Sequence, residues 1–344
     1  MRDLEKLFFS LGPGYEVSIG NGASALLGSA AAALTEGRLA AIVTDAGVPR
    51  EHVELCRACL ADAGFAAGVF AVKEGEASKS LDTVEDLYSF FSGLGITRSD
   101  AVVYVGGGVV GDIAGFAAAT YLRGVKLIAV PTTVISQTDS AYGGKTGVDH
   151  LGIKNAIGCF RHPAAVIADT AFLETLPENE RVSGMGEVVK YGAIAAPEIL
   201  DSVSRALPDE RIIAACAAIK LRFCEKDEFD LNERRALNFG HTFGHAIESA
   251  SGFTVPHGQA VAYGMLSAIR LGERLGVTET GVYSAVENAC GRAGLDTRWE
   301  RALGEAYPYL IKDKKSDGRT IDAVLLKRLG EPVRMKLKPE EMKL

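Results

Sequence analysis

The sequence predicts an α/β amino-terminal domain with a mostly parallel sheet and a Rossmann-like nucleotide site, followed by an all-α carboxy-terminal domain. Three observations carry this expectation. Short β-branched runs alternate with helical stretches from about residue 15 to residue 170. One of those runs opens directly into a glycine-rich loop, Gly106-Gly107-Gly108. After Thr170, Ala- and Leu-rich segments with helical periodicity replace the strand runs, which sets the domains at 1–170 and 171–344.

The runs Leu39–Thr44, Phe65–Val72, Ala101–Val105, Val125–Val130 and Ala164–Ala168 read as strands. Between them, Ala23–Glu36, Arg50–Ala63 and Leu81–Gly93 carry apolar residues at three- and four-residue spacing, as helices covering a sheet should. With 344 residues, 47% hydrophobic and 24% charged, the chain is long and apolar enough for two domains with their own cores, which excludes disorder. A net charge of −7 without a long Lys/Arg block excludes an extended nucleic-acid footprint but allows an anionic small molecule. The apolar patch Leu7-Phe8-Phe9 is too short for a signal-peptide core or a membrane span, so no membrane association and a cytoplasmic location are expected. The six cysteines are scattered, and Cys56 and Cys59 lack a second pair to complete a zinc site; ordinary thiols are expected.

The loop Gly106-Gly107-Gly108-Val109-Val110-Gly111-Asp112 satisfies G-x-G-x-x-G between a strand and a helix, where glycines let backbone N–H groups approach a pyrophosphate. It follows a later strand than the standard motif does, and no acidic residue stands about twenty positions downstream to grip a ribose. Instead Asp45 ends an earlier strand and Pro131-Thr132-Thr133 follows another, so three strand ends together point to a nucleotide.

Three of the six histidines, His241, His245 and His257, fall within seventeen residues. His241 and His245 share a helix face at a spacing suited to a common metal or active site, and the plainer alternative is a pair of satisfied helix histidines. Thr242 stands where H-E-x-x-H has its glutamate, which disfavours peptidase chemistry. Glu187 is a candidate carboxylate, with Lys190 one turn on; spacing alone equally allows a surface ion pair. The polar run Ser136–Gly147 reads as a binding segment, yet Asp139 occupies the first-glycine position of a P-loop ending in Gly144-Lys145-Thr146, which excludes an ATPase. Lys145, Lys154 and Asn155 remain as donors for carboxylate or phosphate.

With these residues stand further blocks: Gly75 to Ser80, Gly106 through Val125, Lys154-Asn155, Glu187 through Gly192 and Asn238 through His245. Together they make the chain resemble bacterial and fungal 3-dehydroquinate synthases over nearly its whole length. The resemblance implies an NAD- and metal-dependent carbon–oxygen lyase of the shikimate pathway. It would convert 3-deoxy-D-arabino-heptulosonate 7-phosphate to 3-dehydroquinate and phosphate by transient oxidation, β-elimination, re-reduction, ring opening and aldol closure.

It implies NAD contacts at Asp45, Glu76, Lys79, Gly107, Gly108, Val109, Val110, Gly111, Asp112, Thr132, Thr133, Lys145, Lys154, Phe172, Leu173, Glu174 and Thr175. It gives Glu187, His241 and His257 to zinc, with cobalt as a substitute, and makes His245 an active-site neighbour. Substrate contacts would come from Arg123, Asp139, Lys145, Asn155, Lys190, Lys220, Arg234, Asn238, His245 and Lys314, of which Lys145, Asn155, Lys190, Arg234 and His245 would be catalytic. The partner is a small sugar-acid phosphate, and a homodimer is expected with Arg123 reaching the neighbouring subunit's site. Gly47 departs from the family's frequent asparagine, and Ala141-Tyr142 from a smaller pair. The alternatives are a metal-dependent NAD polyol dehydrogenase, another sugar-phosphate cyclase, or a non-catalytic metal- and nucleotide-binding protein.

Overall fold

A computed structural model describes residues 4–310 and 320–344. The chain forms two compact units, Met1–Leu176 with Asp209–Glu228, and Pro177–Pro208 with Phe229–Leu344. The strands of the first unit are β1 (Glu5–Phe9), β2 (Tyr15–Gly20), β3 (Leu39–Asp45), β4 (Ala66–Val72), β5 (Ala101–Gly106), β6 (Lys126–Pro131), β7 (Lys145–His150), β8 (Ile153–Phe160) and β9 (Ala165–Asp169). Seven of them form one sheet in the order β1-β2-β9-β6-β5-β3-β4, parallel except for the β1–β2 edge, while β7 and β8 make a separate antiparallel hairpin.

All six residues of β5 are buried, as expected for a strand covered on both faces. Ile42, Val103, Val105 and Ile128 pack on one face against Leu27, Val53, Cys56 and Leu60. Those residues belong to α1 (Leu27–Leu34) and α2 (Arg50–Asp62). Helices α3 (Leu81–Leu94) and α4 (Gly108–Thr120) pack against each other and against β3, β4 and β5. Tyr104 alternates with Val103 and Val105, so it points to the opposite face, where a methyl on Gly111 of α4 would stand 3.1 Å from its ring. Because β4 and β5 lie on opposite sides of β3, the order reverses there, and the carboxyl ends of β3 and β5 flank a topological switch point.

The chain leaves the first unit after Leu176, forms α5 (Glu178–Ala195) and α6 (Pro197–Ser202), and returns as α7 (Glu210–Lys226). A single crossing at residue 170 would assign α7 to the second unit. Its buried stripe Ile213, Cys216, Ala217, Lys220 and Cys224 instead packs on β1 and the Ser136–Ser140 turn.

The second unit adds α8 (His241–Ala250), α9 (His257–Arg274), α10 (Val282–Ala293) and α11 (Glu300–Leu310) to α5 and α6. It is helical as expected, with one addition the periodicity did not signal, the antiparallel ribbon β10 (Ile321–Arg328) and β11 (Glu331–Leu337). Leu329-Gly330 between them, with Gly330 at φ 79°, is a two-residue hairpin connection. Among the described residues no helix is long and apolar enough to cross a membrane.

Candidate active site

In the first unit the carboxyl ends of the strands carry the expected loop. α4 begins at Gly108, so the N–H groups of its first turn have no intrahelical acceptor and are oriented for an anion. Space at the loop is tight: a methyl on Gly106 would lie 2.7 Å from Val110, and one on Gly107 would press on Thr133 at 3.1 Å. Thr133 is held by Ser136, whose hydroxyl accepts from the Thr133 N–H at 3.0 Å, and Thr132 is buried. Asp45, at the end of β3, accepts from the N–H groups of Gly47 (2.8 Å) and Val48 (3.1 Å). Burial raises its carboxyl above the usual range and these two hydrogen bonds offset part of that rise. A side chain at Gly47 would lie 2.9 Å from the Glu74 carboxyl carbon, an exposed side-chain end that could swing aside.

A second cluster surrounds Lys79, which is 5% exposed. Its ammonium donates to Asp112 at 2.8 Å and to the Asn155 side chain, and Glu76 stands 3.8 Å away. Burial opposes the Lys79 charge, yet Asp112 and Glu76 outweigh it and hold the group above its ordinary value. Lys154 lies 3.6 Å from Glu76, and the Asn155 N–H donates to Asp149 at 2.7 Å with Asn155 at φ 51°. Lys220 of α7 donates to the Asp139 carbonyl at 2.7 Å and its carboxylate at 3.0 Å. Four predicted residues, Glu76, Asp112, Lys154 and Asn155, thus gather around a fifth, Lys79, and Lys220 pairs with Asp139.

Lys145 opens β7, is exposed, and lines a small cleft with Gly111 and Asp112. Other predicted residues of this unit stand apart. Phe172 and Leu173 are buried at 2% and 1%, and Phe172 stacks on His52 at 4.3 Å, so these two side chains belong to the core. Glu174 and Thr175 are exposed, and Thr175 shares a 2.7 Å hydrogen bond with His52. Arg123 is exposed on a turn in which Leu122, Arg123 and Gly124 all have positive φ. Lys314 lies outside the described residues.

The second unit brings Glu187, His241 and His257 together, with a ligand atom from each within 4.8 Å of the others. Glu187 is fully buried on α5, and the two histidines open α8 and α9. Glycines make this approach possible. A methyl on Gly186 would meet the Gly258 backbone at 2.8 Å, and one on Gly258 would meet the Ser183 carbonyl carbon at 2.6 Å, so α5 and α9 touch backbone to backbone beside Glu187 and His257.

Each histidine ring is oriented through its other nitrogen. His241 Nδ1 faces the Phe239 carbonyl at 3.2 Å, an acceptor, which leaves Nε2 facing Glu187 at 3.4 Å. His257 Nδ1 faces Glu248 at 3.3 Å and its Nε2 faces Glu187 at 3.2 Å. Burial pushes His241 down to about 3, keeping it neutral. Burial acts the same way on His257, but the hydrogen bonds to Glu187 and Glu248 outweigh it and raise the ring to about 10. Two imidazole nitrogens and a carboxylate oxygen converge there, and that N₂O donor set suits zinc or cobalt, so the residues fit a metal.

Lys190, 2% exposed, forms an ion pair with Glu187 and lies 4.8 Å from the Tyr191 ring centroid. This pair is internal, not the surface pair that spacing allowed. His245 joins the cluster from the next turn of α8, its ring centroid 5.3 Å from that of His241. Arg234 is 2% exposed on the 3-10 turn Glu233–Asn238, which delivers Asn238 just ahead of His241. Sequence reasoning missed Glu248 and Asp149. Glu248 had a signal, since His241, His245 and Glu248 at i, i+4 and i+7 share one helix face. Asp149 had none, because its role depends on the fold of the β7–β8 hairpin.

Comparison with known proteins now bears on this geometry. The 3-dehydroquinate synthase N-terminal family matches residues 69–183 and the 3-dehydroquinate synthase C-terminal family matches residues 184–316. A 3-dehydroquinate synthase of Streptococcus pneumoniae serotype 4 is 42% identical over 312 residues, 88% of each chain. One of Streptococcus sanguinis is 43% identical over 314 residues, again 88% of each. Among solved structures, 2-deoxy-scyllo-inosose synthase complexed with carbaglucose-6-phosphate, NAD+ and Co2+ is similar with a TM-score of 0.88 at 26% identity, covering 99% of this chain and 98% of that one. On the breadth of these matches, the chain belongs to the 3-dehydroquinate synthase family.

Proposed function

We propose that the chain is an NAD- and divalent-metal-dependent lyase that converts 3-deoxy-D-arabino-heptulosonate 7-phosphate to 3-dehydroquinate and phosphate. The observation that carries this reading is the convergence of Glu187, His241 and His257 on one buried point in a chain of this family. That a related cyclase is complexed with NAD+ and Co2+ supports the cofactor assignment. When bound, the nucleotide would accept and return a hydride and the metal would act as a Lewis acid toward substrate oxygens.

In this reading the chain's own residues bind, orient and move protons. The first-turn N–H groups of α4 would hold the pyrophosphate, Asp45 the ribose hydroxyls, and Glu76, Lys79, Asp112 and Lys154 the flanking polar groups. Glu187, His241 and His257 would hold the metal, which suits a ring whose Nε2 is kept unprotonated by an acceptor on Nδ1. Lys190, Lys220, Arg234 and Asn238 would bind the substrate's carboxylate and hydroxyls, and His245, one turn from a ligand, would take the hydroxyl proton. Holding one conformer of a flexible sugar acid brings the reacting carbons together for ring closure. The substrate phosphate would be gripped by Arg123 from a second copy in a homodimer, an arrangement its exposed position on a turn permits.

The test is incubation with the substrate, catalytic NAD and Zn2+ or Co2+, assaying free phosphate and NADH together. Phosphate without NADH accumulation is expected. Stoichiometric NADH without phosphate would make the protein a dehydrogenase, and neither product would leave only a binding protein.

A further inference from the structure

We infer that Glu248 is a positioning residue for His257, holding the ring so that its Nε2 is presented to the metal; the inference rests on the metal reading above. Glu248 is 5% exposed, on the same face of α8 as His241 and His245, and its Oε1 lies 3.3 Å from His257 Nδ1. A carboxylate accepts only, so with a cation among Glu187, His241 and His257 it holds the ring proton on Nδ1 and leaves the Nε2 lone pair to that cation. His241 is oriented instead by the Phe239 carbonyl, part of the backbone of its own turn. A charged acceptor also makes the imidazole a stronger donor than a carbonyl does.

The experiment measures Zn2+ and Co2+ affinity by chelator competition, with the visible spectrum of the Co2+-loaded protein, for the wild type and the variants Glu248→Leu, Glu248→Gln and His257→Ala. Glu248→Leu, which fills the volume but cannot accept, should weaken affinity by roughly 10- to 100-fold and alter the Co2+ absorption bands. Glu248→Gln keeps an oxygen acceptor and should lose less. A merely structural role would lower the unfolding temperature of the metal-free protein and leave the Co2+ bands of the bound fraction unchanged. Wild-type affinity and an unchanged spectrum in Glu248→Leu overturn the inference; if that variant does not fold, the same result in Glu248→Gln does so. If the wild type binds no better than His257→Ala, the metal reading itself fails, whereas loss in His257→Ala alone removes only the role of Glu248.

Discussion

Gly258→Ala adds one methyl where α5 and α9 meet, and the structure sets the size of its effect. The new Cβ would stand 2.6 Å from the Ser183 carbonyl carbon, with the carbonyl oxygen closer still, whereas real Cβ atoms stay beyond 3.0 Å. The clash is with backbone, so no side chain can rotate away, and because the Ser183 carbonyl oxygen is the nearest atom the helices must part by more than about 1 Å. Overpacking of this kind costs about 1–3 kcal/mol, which corresponds to a fall of roughly 2–12 °C in the melting temperature of a unit this size. The same displacement separates Glu187 from His257, now 3.2 Å apart, and strains the Gly258 N–H to Ser183 hydroxyl bond at 3.1 Å. Zn2+ affinity should therefore fall at least about tenfold, and activity by up to about 100-fold for a shift near 1 Å. Calorimetry of the metal-free protein and chelator competition measure the two effects. As a control, Gly291→Ala adds a methyl to α10 with nothing within 4 Å, and should stabilise by about 0.5–1 kcal/mol. Unchanged melting and metal affinity in Gly258→Ala would refute the packing argument.

His52 should make stability pH-dependent. Burial lowers its pKa below 6.5, so its unfolded form binds the extra proton first, and stability present above 6.5 is lost as pH falls through that value toward the folded one. Urea titrations of the wild type should show this loss and His52→Gln should lack it; parallel slopes would contradict the assignment. Lys220→Ala and Arg234→Ala should each weaken transition-state binding by about 1.5–3 kcal/mol, read as kcat/KM, and unchanged kinetics in both would remove them from the substrate contacts. His245→Ala should retain metal and lose activity, a split seen by elemental analysis beside the phosphate assay. Mixing Arg123→Ala with Lys190→Ala chains should restore about half of the wild-type activity to each mixed dimer, roughly a quarter in a statistical mixture, if Arg123 serves its neighbour; no recovery despite confirmed subunit exchange would exclude that.

The strands β3, β5, β6 and β9 were legible because local chemistry specifies them: apolar runs buried on both faces read the same in any tertiary context. β4, largely exposed or half-buried, was legible from its run of Val69, Phe70 and Val72. The glycine loop was legible for a similar reason, since a strand–turn–helix passage is a local event. The hairpin β7–β8 and strand β11 were not, because polar and half-exposed strands lack a strong period and depend on their partners. Strand β10 is buried from Ala323 to Leu326, but so short an apolar run cannot be told from a buried helix segment by its period. Nor could the sequence show that α7 returns to the first unit, since an apolar stripe states that a helix is buried and not against what.

Within the cluster of Glu187, His241 and His257 the division is equally clear. Spacing put His241 and His245 on one face and suggested them as a pair, while tertiary structure groups His241 with His257 and Glu187 from two other helices. Family resemblance implied that set, but residue spacing alone could not, because ligand geometry depends on how closely three helix axes approach. That approach is decided where Gly186 and Gly258 let backbones touch, and the orienting role of Glu248 appears only once α8 and α9 are folded together. Sequence alone determined which chemical groups the chain carries and which segments fold as strands or helices. Only the tertiary structure decided which of those groups meet, because contacts between residues far apart in sequence are set by packing.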